Sequence, residues 1–160
     1  MSGERKSVKI KDRKLGLLFN DVARFRGILF DQMLQPDGLT HVQAFVLNHL
    51  YKDDGLTQTE LSERMDIGTV TISGLVDRLE ANGWVSRNVD EKDRRAKRIW
   101  LTDKVGSIRK TMFGGIDEVN DLTFDGMSEA EIVQFIELLK KAKSNLADKL
   151  GTNAKNRPGA

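Results

Sequence analysis

The sequence predicts a mainly α-helical fold with one small β-hairpin, built as a single unit across residues 1–160. Three observations carry that expectation. Apolar residues recur at three- and four-residue steps through most of the chain, which is the spacing of amphipathic helices. The period changes to alternation around Trp84–Leu101. Three Ser/Thr-x-x-Glu/Gln boxes, beginning at Thr40, Thr57 and Ser128, mark helix starts.

Composition agrees. In 160 residues, 39% are apolar and 31% charged, with 14 Gly and 2 Pro, a profile of folded rather than low-complexity chains. The absence of cysteine excludes disulfide frameworks, thiolate metal sites and Cys nucleophiles. No apolar run is long enough to span a bilayer, and the polar N-terminus has no signal-peptide core. A soluble cytoplasmic protein without membrane contact is expected.

The elements follow in order. Lys9–Leu34 reads as a long helix with Leu15, Leu18, Val22, Phe25, Leu29 and Met33 on one stripe. That stripe needs cover, from elsewhere in the chain or from a second copy. Pro36-Asp37-Gly38 ends it. Thr40-His41-Val42-Gln43 opens a helix to about Leu50 with Val42, Phe45, Val46 and Leu50 inward. Thr57-Gln58-Thr59-Glu60 opens a short helix, Gln58–Met65, and Asp66-Ile67-Gly68 makes a tight turn. A further helix runs from Thr69 to Asn82 over a buried stripe of Ile72, Leu75, Val76 and Leu79, and Gly83 stops it. Trp84–Val89 and Ala96–Leu101 are the hairpin strands, with a polar tip at Asp90–Arg95. Thr102 is read as the cap of a helix over Asp103–Leu122, interrupted by Gly106, Gly114 and Gly115. Ser128 caps a last helix to Leu150, with Ile132, Phe135, Ile136, Leu139, Ala142 and Leu146 on one side. Residues 1–7 and 151–160 are read as flexible ends.

The formal net charge of +2 conceals segregation. Residues 1–14 carry six basic and two acidic side chains, and residues 15–83 carry five basic and ten acidic. Residues 84–110 carry nine basic and four acidic, and residues 111–160 six and eight. The compact basic stretch coincides with the hairpin. Local rather than net charge governs contact with a polyanion.

Two short helices joined by a Gly-containing turn and followed by a charged hairpin form a winged helix-turn-helix over residues 39–102. The second helix of such a motif enters the DNA major groove. Thr69, Thr71 and Ser73 lie off the buried stripe and suit base edges or phosphates; Val70 suits a thymine methyl. Equally, Thr and Ser at a helix start cap and solvate the turn. Arg78 either reaches a phosphate or pairs with Asp77 or Glu80. At the hairpin tip, Arg94 and Arg95 suit a narrow minor groove, with Asp93 as a brace for Arg95. Arg87, Lys92, Lys97 and Arg98 lie along the strands.

These residues resemble the MarR (multiple antibiotic resistance regulator) family, and most nearly its SlyA-type members. Leu75-Val76-Asp77-Arg78-Leu79-Glu80, Gly83-Trp84-Val85-Ser86-Arg87, Asp93-Arg94-Arg95-Ala96-Lys97 and Leu101-Thr102 carry the likeness, over roughly residues 10–150. The resemblance implies a homodimer formed by the terminal helices, 8–36 and 103–150, binding pseudo-palindromic double-stranded operators, usually as a repressor. It implies Thr69, Val70, Thr71 and Ser73 as base-reading residues, with Arg94 and Arg95 at the wing tip and Asp93 bracing them. It also implies release by a small aromatic or phenolic anion, for which Leu18, Val22, His41, Phe45 and Trp100 are the candidate lining. Gly74 departs from the basic residue common at that step.

A second reading is a winged-helix protein-interaction module that never meets DNA. An enzyme is not expected. The chain has no Gly-rich phosphate loop, nucleophile motif or metal-ligand spacing, and His41 and His49 stand eight residues apart. No cofactor or metal is expected.

Overall fold

The computed structural model describes residues 14–90 and 96–150. In chain order the elements are helix α1 (Leu15–Leu34), a 3-10 turn (Gln35–Asp37), α2 (His41–Lys52), strand β1 (Leu56–Thr57), α3 (Gln58–Met65), α4 (Thr69–Ala81), β2 (Val85–Val89), β3 (Lys97–Leu101), α5 (Val105–Phe124) and α6 (Glu129–Leu150). This is the mainly α winged helix-turn-helix that the sequence predicts. The part of the first helix expected over residues 9–13, and both termini, lie outside the described residues.

The capping boxes form as expected. Thr40 and Thr57 each accept from the backbone three residues on, while Gln43 and Glu60 reach back to the cap N–H. Ser128 and Glu131 do the same at the start of α6. Each satisfies helix-end donors that would otherwise lack a partner.

One core lies between α2, α3, α4 and the sheet. Leu47, Leu50, Leu61, Ile72, Leu79 and Ile99 are fully enclosed there. Removing a side chain of this size from water is worth about 1.5–3 kcal/mol. The α4 stripe of Ile72, Leu75, Val76 and Leu79 is buried as its spacing predicts.

The sheet has three antiparallel strands in the order β1-β3-β2. Val85 pairs with Leu101 and Val89 with Lys97. β1 is not legible in the sequence, because two residues cannot show alternation. It forms because Gly55 (φ 77°) turns the chain so that Leu56 lies opposite Ile99. A Cβ on Gly55 would stand 2.6 Å from the Trp100 ring, so glycine serves both the turn and the contact.

Three expectations need correction. Phe45 is half-exposed on the flank of α2; the buried face is Ala44, Val46, Leu47 and Leu50 with Gln43. Thr102 does not cap α5, because its hydroxyl donates to the Gly83 carbonyl at 2.6 Å; the helix starts at Val105. The glycines do not interrupt α5, which is continuous to Phe124. Gly115 admits α1 instead, since a Cβ there would lie 3.0 Å from the Phe30 ring. The α1 and α6 stripes are only partly covered. Phe30 and Leu34 are buried, whereas Leu18, Val22 and Phe25 are exposed, and α6 has no buried residue.

Candidate nucleic-acid interface

The turn between α3 and α4 is held from within. Asp66 is left-handed (φ 53°), and Ser62 donates its hydroxyl to the Ile67 carbonyl at 2.6 Å. With Leu61 and Ile72 both enclosed, α4 is set on α3 by the core. The α4 N-terminus begins at Gly68, which supplies no side-chain cap, so its first N–H groups point outward unsatisfied by the helix. Thr69, Val70 and Thr71 are exposed there, Val70 to 86%, and Ser73 is half-buried. An apolar side chain so exposed gains nothing from the core, which suits contact with a partner.

Arg78 is exposed on the same helix, and among the described residues no ion pair or hydrogen bond holds its guanidinium. Its potential partners are engaged elsewhere. Asp77 accepts from Arg87 Nη2 at 2.6 Å, and Glu80 accepts from Arg87 Nη1 at 2.5 Å and from the Arg87 backbone N–H at 3.1 Å. Burial works against the Arg87 charge, but the hydrogen bonds and charges of Asp77 and Glu80 outweigh it and raise its pKa above the ordinary arginine value.

On β3, Lys97 is exposed and unpaired among the described residues. Arg98 donates Nε to Asp90 and Nη1 to the Gly55 carbonyl at 2.8 Å. Its hydrogen bond to Asp90 is the main cause of a raised pKa. Asp93, Arg94 and Arg95, the expected brace and tip, lie outside the described residues.

The candidate effector residues fall into separate groups. His41 donates its backbone N–H to Asp31 at 2.6 Å, with Nδ1 2.9 Å from the same carboxylate oxygen. Gly27 lies against its ring. Phe45 meets His41 edge-on at 5.9 Å and Phe30 at 6.1 Å between ring centroids. Leu18 and Val22 are exposed further along α1. Trp100 lies over Gly55, lining a cleft of about 520 Å³ with Asp54, Asn88, Asp90 and Arg98. Another cleft, about 480 Å³, is lined by Arg109, Lys110 and Phe113. Among the described residues no group of three side chains suits a metal ion, and no helix is long and apolar enough to cross a membrane.

A family model described as "MarR family" matches residues 37–96, which hold α2, the helix-turn-helix of α3 and α4, and the first hairpin strand β2. Over these residues the chain is similar to the MarR family. The family is one of transcription regulators. Among solved structures, a MarR transcriptional regulator from Methanosarcina mazei is 27% identical, covering 82% of this chain and 97% of its own, with a TM-score of 0.72. Bordetella bronchiseptica BpsR, described with a mechanism for regulation of its DNA binding by 6-hydroxynicotinic acid, is 25% identical, covering 81% and 93%, with a TM-score of 0.72. A mutant MarR from E. coli complexed with operator DNA is 24% identical, covering 81% and 94%, with a TM-score of 0.75, and supports the fold.

Sequence reasoning had not singled out Asp31, Asp77, Glu80 or Asp90 as partners of His41, Arg87 and Arg98. Asp77 and Glu80 had a signal, since they stand three apart on one helix face, just before a strand bearing Arg87. Asp31 and Asp90 had none, because their partners lie across a turn or a strand pair.

Proposed function

We propose that this protein is a homodimeric, sequence-specific DNA-binding transcriptional regulator of the MarR family that acts as a cytoplasmic repressor. The observation that carries the reading is α4, whose N-terminal half offers Thr69, Val70, Thr71 and Ser73, with Arg78, unpaired among the described residues, two turns on. In this reading those residues meet bases and phosphates, and Lys97, Arg94 and Arg95 carry the wing contacts, with Asp93 as their brace. The uncovered apolar faces of α1 and α6 support the dimer, because contiguous apolar surface of this extent is covered in water-soluble proteins. Residues 8–36 and 103–150 then form the dimer and 39–102 the DNA-binding lobe, all within one domain over 1–160.

The proposed effector is a small aromatic or phenolic anion. The His41–Phe45 pair supports its location, with Leu18 and Val22 along α1 and Trp100 as a second aromatic surface. The regulation of BpsR by 6-hydroxynicotinic acid supports its chemical class.

Selecting bound DNA from a random pool at defined salt tests the main reading. Two inverted half-sites with centres about one helical turn apart are expected. No enrichment at low salt would leave the protein-interaction module as the better account.

A further inference from the structure

Among the described residues of the basic stretch, most cations are already engaged within the fold. Of the six described cations there, Arg87 is clamped by Asp77 and Glu80, and Arg98 by Asp90 and the Gly55 carbonyl. Lys104 donates to the Asn82 carbonyl at 2.7 Å and lies over the Trp84 ring, and Arg109 lies over Tyr51. Only Lys97 and Lys110 have no such partner among the described residues. The segregation of charge along the sequence therefore has a second meaning. Part of it consists of basic strand residues paired with acidic helix residues.

The Arg87 arrangement is the most specific. Its side chain is 15% exposed. Three donors of one residue, two from the guanidinium and one from the backbone, reach two carboxylates on successive turns of α4. A planar fork between two carboxylates fixes direction as well as distance. Asp77 and Glu80 belong to the proposed DNA-reading helix, and Arg87 to the first strand of the wing. Arg98 makes the corresponding tie on the other side, from β3 to the end of β2 through Asp90 and to β1 through Gly55.

We propose that Arg87 is a positioning residue that sets the wing at a fixed angle to the reading helix, through Asp77 and Glu80, and makes no contact with DNA phosphate. The proposal rests on the DNA-binding reading above. It also assigns a role to two acidic residues on a helix that has to approach a polyanion. Their carboxylates are paired with Arg87 while remaining partly open to solvent.

A double variant, Asp77→Asn with Glu80→Gln, gives the decisive sign. It removes two negative charges from the reading helix and frees Arg87. If Arg87 served DNA as a cation, affinity for the selected operator would rise. A positioning role predicts a loss, of roughly tenfold on the scale of one specific contact. Equal or tighter binding overturns the proposal. Charge exchange in Glu80→Arg with Arg87→Glu checks it independently. Binding above that of Arg87→Glu alone is expected, whereas equally weak binding counts against a positioning role. Hydrogen exchange of the β2 and β3 amides in the full chain without DNA is the third measurement. Faster exchange in the Asp77→Asn/Glu80→Gln variant is expected, and unchanged exchange removes the brace. This arm separates the two claims. Failure of the unmodified protein to bind DNA sinks the regulator reading, while hydrogen exchange still decides whether Arg87 holds the wing.

Discussion

Gly74 is the residue at which this chain leaves the family pattern, and its surroundings show what it omits. An added Cβ would meet nothing within 4 Å. Gly74→Lys is therefore expected to fold normally and to tighten DNA binding. The slope of log affinity against log salt should steepen by about 0.9 if one phosphate contact is gained. An unchanged slope in a filter-binding salt series would place position 74 away from the DNA. His49 carries a different expectation. Burial, then the charges of Lys52 and Arg64, hold its imidazole below the ordinary 6.5. The unfolded chain then takes up the proton first as pH falls, so stability is full above about pH 6.5 and declines below it. Urea midpoints at about pH 7.5 and about pH 5.5, either side of the imidazole range, should differ less in His49→Gln than in the parent.

At the scale of the element, the helix starts were the most legible features, because a capping box is a local code. Thr40, Thr57 and Ser128 act as their spacing says, since donor and acceptor are three residues apart in any fold. Thr57→Ala is expected to cost about 1 kcal/mol, read from the denaturant midpoint, by stripping the α3 cap. The hydroxyl of Thr102 shows the opposite case. It had a helix to cap nearby, but the fold brings the Gly83 carbonyl closer. The strand β1 and the continuity of α5 through Gly114 and Gly115 were likewise not local matters. The first depends on a strand over forty residues away, and the second accompanies the Phe30 ring seated against Gly115.

For the whole molecule, the exposed apolar faces are the main unfinished business of the single chain. Val133, Leu138 and Leu146 on α6 stand open, as do Leu17, Phe19 and Phe25 on α1. Leu139→Glu, on α6, is expected to shift the protein from dimer to monomer in sedimentation velocity and to weaken operator binding with it. A monomer in the parent protein would remove the dimer from the proposed function.

Charge is where sequence and folded molecule differ most. Counting along the chain identified a basic hairpin beside an acidic body, and the family signature in Leu75–Lys97 was explicit. By itself the sequence determined the helix order, the three capping boxes, the α4 core stripe and the two hairpin strands, because each follows from periodicity or a spacing of a few residues. Only the tertiary structure decided which charges are spent inside the fold. Arg87 and Arg98 look like their neighbour Lys97 in the sequence, yet carboxylates and a carbonyl brought in by α4, β1 and β2 hold the two arginines and leave the lysine exposed. Pairing of this kind depends on ångström-scale distances between elements, and no linear count of charge contains those distances.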